Sequence, residues 1–369
     1  MTQSVQNPIR QVLDFGQSIW FDGLAPKEEF ERMIREDGIR GATTNPTIFE
    51  KAISEHTQDA EWMQYVRTHS PEDIYKKIAV QSVRELADLF QSVYEETSGQ
   101  DGFVSIEVSP LLAYDTESTV REARELWELV GRKNVMVKVP ATAEGVPAIE
   151  TLIAEGINVN VTLIFSLDRY RQVMDAYLRG LERRDLNEYP VSRVASVASF
   201  FVSRVDTAAD KLIEEKLKTS QNLAEQETLK GLLGKTAIAN SKRAYAEFEK
   251  VFSGRKFGKL KEKGARVQRP LWASTGTKNP VYRDVLYVEA LIGPQTVNTL
   301  PPATFAAFRD HGVVVPRLQQ GAREMDRALR QLKRAGISLK DITARLEAAG
   351  VELFSDSYKK IIQFIGTKK

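Results

Sequence analysis

The sequence has 369 residues, no cysteine, 42% hydrophobic and 28% charged residues, and a net charge of +2 from 52 basic and 50 acidic residues. The lack of cysteine excludes disulfides, iron–sulfur ligation and thiol catalysis. The balanced charge predicts neither a nucleic-acid nor a membrane partner, because both need a concentrated basic excess. The N-terminal segment lacks a signal-peptide pattern, and no apolar run approaches the roughly 20 residues of a transmembrane helix. We therefore expect a cytoplasmic protein.

Short apolar runs alternate with longer helical patterns along the chain. The alternation indicates parallel strands joined by right-handed crossovers, and eight such units favour a closed (β/α)8 TIM barrel. An open doubly wound sheet is the alternative, although no G-x-G-x-x-G follows the first strand. The runs predicted as strands are 18–23, 41–46, 103–110, 135–140, 157–165, 193–201, 269–275 and 295–301.

Helical patterns fill the remaining sequence, and Ser70 and Ser166 are predicted to cap two of these helices. The segment from about 207 to 265 is too long for one crossover and predicts two or more additional helices. The region from about 317 to 369 is also predicted to be helical. The densest basic stretch, 255–263, is predicted to be a solvated loop. No linker rich in Gly, Ser or Pro is present, so we expect a single domain over 1–369.

Polar side chains interrupt four of the predicted strands near their C-terminal ends. They are Asp22, Glu107, Lys138, Asn160 and Thr162, and alternation places each opposite the apolar face of its strand. Barrel strands are covered on both faces and should be apolar throughout, and active sites lie at their C-terminal ends. We therefore interpret the five residues as a site in the barrel mouth. A lone strand lysine is more often an edge charge, and a structural ion-pair cluster is the other alternative.

A lysine close to two carboxylates indicates Schiff-base chemistry. Free lysine has a pKa of about 10.4, and burial favours its neutral form, which attacks a ketone carbonyl. The protonated imine then weakens the carbon–carbon bond beyond the neighbouring carbon. Loss of water and removal of a hydroxyl proton each need an acid/base, for which Glu107 and Asp22 are available. None of the three histidines lies in a metal-binding pattern, so neither a metal nor another cofactor is predicted.

Six ordered motifs between about residues 18 and 312 resemble the transaldolase family: WFDGL, GATTNPTIFEKAI, VSIEVSPLLAYDT, VMVKVPAT with GVPAIE, GINVNVTLIFS and VASVASFFVSRVD. The resemblance implies a barrel in which Lys138 forms the Schiff base and Asp22 is the acid/base for carbon–carbon cleavage. It also implies that Glu107 and Thr162 hold and activate water. The substrate contacts that it implies are Asn45, Asn160, Ser199, Phe201 and Arg204. Of these, the arginine would reach the phosphate; without the resemblance it would be read as part of a surface ion pair.

The seventh predicted strand departs from the family pattern. Shorter transaldolases carry an arginine soon after the serine there, whereas residues 274–280 read S-T-G-T-K-N-P. Ser274 matches the family, and Lys278 is the candidate for the second phosphate contact. Gly276 would let backbone amides approach an anion, and a plain β-turn loop is the alternative. The length resembles the longer members of the family, some of which are fused to a phosphoglucose isomerase that this chain is too short to include.

The resemblance implies reversible transfer of a dihydroxyacetone unit in the non-oxidative pentose phosphate pathway. The donors would be sedoheptulose 7-phosphate or fructose 6-phosphate, and the acceptors glyceraldehyde 3-phosphate or erythrose 4-phosphate. The expected partners are these small sugar phosphates, and the expected state is a monomer or homodimer. Two alternatives stay open: a Schiff-base aldolase that releases free dihydroxyacetone, and a non-catalytic sugar-phosphate sensor. The sensor predicts substitution of the lysine or carboxylates, all of which are present.

Overall fold

The computed structural model describes residues 7–45 and 65–367 and contains a closed barrel of eight parallel strands. The strands pair in chain order, and the last pairs with the first to close the barrel. The prediction of a (β/α)8 barrel is confirmed, and an open sheet is excluded. The strands are β1 (Gln17–Asp22), β2 (Gly41–Thr43), β3 (Phe103–Glu107), β4 (Val135–Pro140), β5 (Val159–Ile164), β6 (Ser196–Phe201), β7 (Arg269–Ala273) and β8 (Thr296–Leu300).

Helices surround this barrel, and among the described residues none is long and apolar enough to cross a membrane. Ser70 and Ser166 cap the helices that begin at Pro71 and Leu167, as predicted, and each accepts a hydrogen bond from a backbone N–H three residues further along. The helices are α1 (Pro8–Gln11), α2 (Lys27–Arg32), α3 (Pro71–Leu89), α4 (Gln91–Glu96), α5 (Thr116–Val130), α6 (Gly145–Glu155), α7 (Leu167–Leu186), α8 (Ser203–Thr219), α9 (Leu223–Lys230), α10 (Thr236–Phe252), α11 (Arg255–Glu262), α12 (Leu286–Ala290), α13 (Pro302–His311), α14 (Ala322–Arg334) and α15 (Leu339–Gly366).

The basic stretch 255–263 forms helix α11, so its prediction as a loop is wrong. The helix buries Phe257 and Leu260. The ring of Phe257 packs edge-on against Phe252, with centroids 5.0 Å apart. Two apolar residues three positions apart share one face of a helix, and this face anchors α11 while its charged residues remain in solvent.

The additional helices of 207–265 and those of the C-terminal region share an apolar cluster outside the main core. Residues of α8 and α9 meet residues of α14 and α15 there, so the two regions stabilise each other. The cluster consists of Ala209, Ile213, Leu229, Leu232, Ala328, Leu332, Ile337 and Ile342. From this cluster α15 continues across the C-terminal side of the barrel, where its Gly350 contacts Leu163 of β5.

A polar network around Asp101 lies at the N-terminal end of the barrel. Arg269 Nη2 lies 2.8 Å from Asp101 Oδ1, and Ser18 Oγ donates to Asp101 Oδ2 at 2.7 Å. Trp20 Nε1 donates to the same carboxylate at 3.4 Å. The network joins β1 and β7 to the segment before β3. Both charged side chains of the ion pair are largely buried.

Replacing Asp101 should reduce stability without changing the chemistry at the other end of the barrel. In Asp101→Ala, Arg269 loses its carboxylate, and we expect the free energy of unfolding to fall by about 3 kcal/mol. Urea denaturation measures this change. The control is Lys263→Ala, which removes an exposed pair with Asp185 and should cost under about 1 kcal/mol. Equal losses in the two variants would contradict the role given to the network.

Candidate active site at the C-terminal mouth of the barrel

Lys138 lies inside the barrel between two strands that place polar residues at its level. It is in register with Glu107 of β3 and Asn160 of β5. The lysine is 6% exposed, and its Nζ lies 3.3 Å from Glu107 Oε2 and 3.5 Å from the carbonyl oxygen of Thr44. A closed barrel has no edge strand, so the edge-charge alternative for Lys138 is wrong. The inward direction that alternation predicts for this lysine is confirmed.

Glu107 is a buried carboxyl with an altered proton affinity. Burial raises its pKa, the Lys138 ammonium opposes that rise, and the negative charge of Asp22 adds to it. A carboxyl with a raised pKa exchanges protons closer to neutral pH than an exposed one does. The pairing of Glu107 with Lys138 therefore provides a proton donor and acceptor beside the amine.

Asp22 ends β1 and is held by Thr43 of β2, which in turn contacts Thr299 of β8. Thr43 Oγ1 of β2 donates to Asp22 Oδ1 at 2.6 Å, and the hydroxyls of Thr43 and Thr299 of β8 are 2.7 Å apart. Burial raises the pKa of Asp22, while Lys138 and the Thr43 hydrogen bond lower it. The sequence interpretation missed both threonines. A search for polar residues in the second and eighth predicted strands would have found them.

Asn160 occupies the barrel interior with both ends of its amide bonded. Its Nδ2 donates to Ser105 Oγ at 2.9 Å, and Ser199 Oγ donates to its Oδ1 at 2.7 Å. The amide orientation is therefore fixed before any ligand binds. Asn160 is the second residue of β5, so its predicted position near the strand end is wrong, although its predicted face is right.

Thr162 stands where β5 becomes irregular. Its side chain is buried, and its Oγ1 has no hydrogen-bond partner among the described residues. The next residue, Leu163, has a φ of +60°, and the pairing with β6 shifts register between Val161 and Ile164. A buried hydroxyl without a protein partner is suited to a bound water or a substrate oxygen.

Arg204 is the second residue of α8, next to the end of β6. It is half-buried, burial lowers its pKa, and no carboxylate in 7–45 or 65–367 pairs with it. Its guanidinium carbon lies 5.4 Å from the ring centroid of Phe201. The surface ion pair considered for Arg204 is thus not found among the described residues. Beside it, Ser274 has a φ of +55° and places its Oγ 2.9 Å from Ser203 Oγ.

Lys278 and Asn45 are the two remaining predicted contacts among the described residues. Lys278 is exposed and lines a cavity of about 180 Å³ together with Asp210, Glu214 and Tyr282. Asn45 is partly exposed and follows Thr44, whose carbonyl contacts the lysine. The remainder of the GATTNPTIFEKAI motif, residues 46–53, lies outside the described residues.

Asp206 connects the start of α8 to the start of α10. Its Oδ1 accepts a hydrogen bond from the Ala237 backbone N–H at 2.6 Å. Its Oδ2 is buried, and the Tyr287 side chain lies close enough to lower the pKa of this carboxyl slightly. Burial raises the pKa of Asp206 to about 7, despite the Ala237 hydrogen bond and with a smaller contribution from the charge of Asp210. This carboxyl supports the helix turn that carries Arg204.

A closed barrel with a buried lysine–carboxylate centre at its C-terminal mouth is the architecture of a (β/α)8-barrel enzyme with a lysine in its active site. The family model described as transaldolase/fructose-6-phosphate aldolase matches residues 19–365. The transaldolase of Saccharopolyspora erythraea is 46% identical over 359 residues, 95% of each chain. That of Thiobacillus denitrificans is 44% identical over 366 residues, 98% of this chain and all of the relative. The chain belongs to the transaldolase family and is therefore a transferase enzyme.

Replacing Asp206 should change how stability depends on pH. The unfolded carboxyl ionises near 3.8 and the folded one near 7, so the unfolded state releases a proton first and wild-type stability falls across that range. Asp206→Asn cannot ionise and keeps an oxygen for Ala237. We expect its stability relative to wild type to rise between about pH 4 and pH 7 and then to level off.

Urea unfolding at several pH values measures this difference. The matched control is Asp356→Asn on the exposed face of α15, whose difference from wild type should not follow the same curve. A constant difference between Asp206→Asn and wild type over the whole range would show that Asp206 does not hold a proton in the folded state.

Proposed function

We propose that the chain transfers a dihydroxyacetone unit between sugar phosphates through a Schiff base on Lys138. The observation that carries the proposal is the buried Lys138–Glu107 pair, with Asp22 close enough for its charge to act on Glu107. The proposed donors are sedoheptulose 7-phosphate and fructose 6-phosphate. The acceptors are glyceraldehyde 3-phosphate and erythrose 4-phosphate, which assigns the reaction to the non-oxidative pentose phosphate pathway of the cytoplasm.

The first step joins the amine to the donor ketone. Neutral Nζ of Lys138 adds to the carbonyl carbon, and the carbonyl oxygen gains a proton to give a carbinolamine. Glu107 then protonates the leaving hydroxyl, so that water departs and the protonated imine remains. The buried Thr162 hydroxyl, free of described protein partners, is the group that holds this water.

The second step breaks the carbon–carbon bond next to the imine-bearing unit. Asp22 accepts the proton of the hydroxyl on the far carbon, and the bonding electrons move into the imine to give an enamine. The shortened aldehyde leaves, while the three-carbon unit stays on Lys138. When an acceptor aldehyde binds, the enamine attacks its carbonyl carbon, and the same steps then run in reverse to release the new sugar phosphate. Because Asp22 and Glu107 have different hydrogen-bond partners, the two acids can serve the two proton transfers separately.

The remaining predicted residues are proposed to bind the sugar phosphate. Asn160, fixed by two serines, and Asn45 would hold the dihydroxyacetone part. Arg204 would bind the phosphate, because it is half-buried without a carboxylate partner among the described residues and lies at the N-terminus of α8. Lys278, which is exposed, would provide the second contact to the phosphate. Ser199, Phe201 and Ser274 would line the substrate site between these residues.

Trapping with borohydride should place the substrate on Lys138. Reduction in the presence of fructose 6-phosphate should add a dihydroxyacetone-derived mass to the peptide containing Lys138, as measured by mass spectrometry. Lys138→Ala should lose at least about a thousandfold in transfer rate, because alanine has no amine with which to form the covalent intermediate. The matched control is Lys133→Ala, an exposed lysine just before the same strand, which should keep its activity.

An adduct on another lysine, or an active Lys138→Ala variant, would refute the Schiff-base proposal. Substantial release of free dihydroxyacetone without an acceptor would favour the aldolase alternative. Sugar-phosphate binding without turnover would favour the sensor.

Removing the Thr43 hydroxyl should shift the acidic side of the pH–rate profile. Its hydrogen bond lowers the pKa of Asp22, so Thr43→Val should raise that pKa further. Because Asp22 must be ionised to accept a proton, the acidic limb of kcat should move to higher pH. Steady-state kinetics across pH measures the shift. The control is Thr151→Val on the surface of α6, and coincident profiles for all three proteins would contradict the role given to Thr43.

A further inference from the structure

An aromatic ring approaches Lys138 from the C-terminal helix. The ring centroid of Phe354 lies 5.5 Å from Lys138 Nζ. The other groups near this nitrogen, the Glu107 carboxylate and the Thr44 carbonyl, are polar. The side of the amine that faces α15 is therefore covered by an apolar surface, while its proton-exchanging partners lie elsewhere.

Helix α15 is held in position by contacts on both sides of Phe354. Glu347 accepts two hydrogen bonds from Arg169, at 3.0 and 3.2 Å. Farther along, Tyr358 packs edge-on against Tyr75 with centroids 5.2 Å apart. Since positions 347, 354 and 358 share one helical face, these contacts fix the direction in which the phenylalanine points.

The helix also approaches β5 beside Thr162. A Cβ added to Gly350 would lie 2.9 Å from Leu163 Cδ2, closer than ordinary packing allows. Leu163 has a positive φ of 60°, a conformation that a leucine adopts only when its surroundings hold it there. Gly350 precedes Phe354 by one helical turn. The close approach at Gly350 therefore brings the ring down toward the amine.

We propose that Phe354 shields the lysine-bound three-carbon unit from water and thereby favours transfer over release. This inference rests on the proposed function. After cleavage, the enamine on Lys138 either attacks an acceptor aldehyde or is protonated on carbon. Protonation leaves an imine, which takes up one water molecule and yields free dihydroxyacetone and the amine. The ring occupies space from which water would reach this nitrogen and its attached carbon, so it slows the second route.

Phe354 acts here through the exclusion of water and not through a bond of its own. A solely structural role would lower transfer and release together, whereas shielding changes their ratio. That ratio is the quantity to measure. Transfer is followed with fructose 6-phosphate and erythrose 4-phosphate, and release is followed as free dihydroxyacetone formed from fructose 6-phosphate alone.

Variants of Phe354 that differ in size and polarity separate shielding from packing. Phe354→Gln and Phe354→Ala should reduce the transfer-to-release ratio at least about tenfold, a change of about 1.4 kcal/mol between the two barriers. Phe354→Leu keeps an apolar group and should stay within about threefold of wild type. The control is Leu353→Gln, which introduces the same residue at the exposed neighbouring position and should keep the wild-type ratio.

Borohydride trapping and thermal melting of each variant complete the test. An unchanged ratio in folded Phe354→Gln or Phe354→Ala overturns the inference, even if both rates fall. A Phe354→Leu variant that releases as much dihydroxyacetone as Phe354→Gln overturns it as well. If the wild-type chain gives no adduct on Lys138, the proposed function fails and this inference with it. An adduct with an unchanged ratio in the variants removes the inference alone.

Discussion

A buried ammonium facing a buried carboxylate is the interaction on which the site depends. Strand pairing between β3 and β4 sets Glu107 opposite Lys138, and closure of the barrel takes both out of solvent. Moving either charge from water costs several kcal/mol, which their mutual attraction offsets only in part. Because the attraction to Lys138 does not fully offset the cost of burial, the pKa of Glu107 remains raised. The strand pairing that closes the core thus also holds the amine and the carboxylate side by side.

Around this pair, the polar side chains are divided among separate hydrogen-bond groups. Asp22 belongs with the threonines of β2 and β8, and Asn160 belongs with the serines of β3 and β6. Because each group is tied to different strands, its position is determined by the barrel and not by a mobile loop. Preorganisation of this kind gives two carboxyls of one mouth different hydrogen-bond partners, although burial raises the pKa of both.

Alternation along the strands predicted the fold and the inward-facing residues, because a charge in an apolar run is conspicuous. It gave the face of Asn160 but not its position along β5, which depends on the stagger between strands. Thr43 and Thr299 were not predicted, because threonine is common in strands and does not stand out there as a charged residue does. Phe354 looks like an ordinary apolar residue of an amphipathic helix. Its approach to Lys138 arises from the packing of α15 on the barrel, which no local pattern encodes.

The position of α15 in the chain has a consequence for maturation of the protein. The last barrel strand ends at Leu300, whereas α15 begins at Leu339. Since chains fold progressively from the N-terminus as they are synthesised, every strand is available before Phe354 has emerged. If the barrel forms before α15 docks, the Lys138 amine would lack the cover that Phe354 provides in the complete fold. Under the proposed function, docking of α15 would be the step that adds the aromatic cover to this lysine.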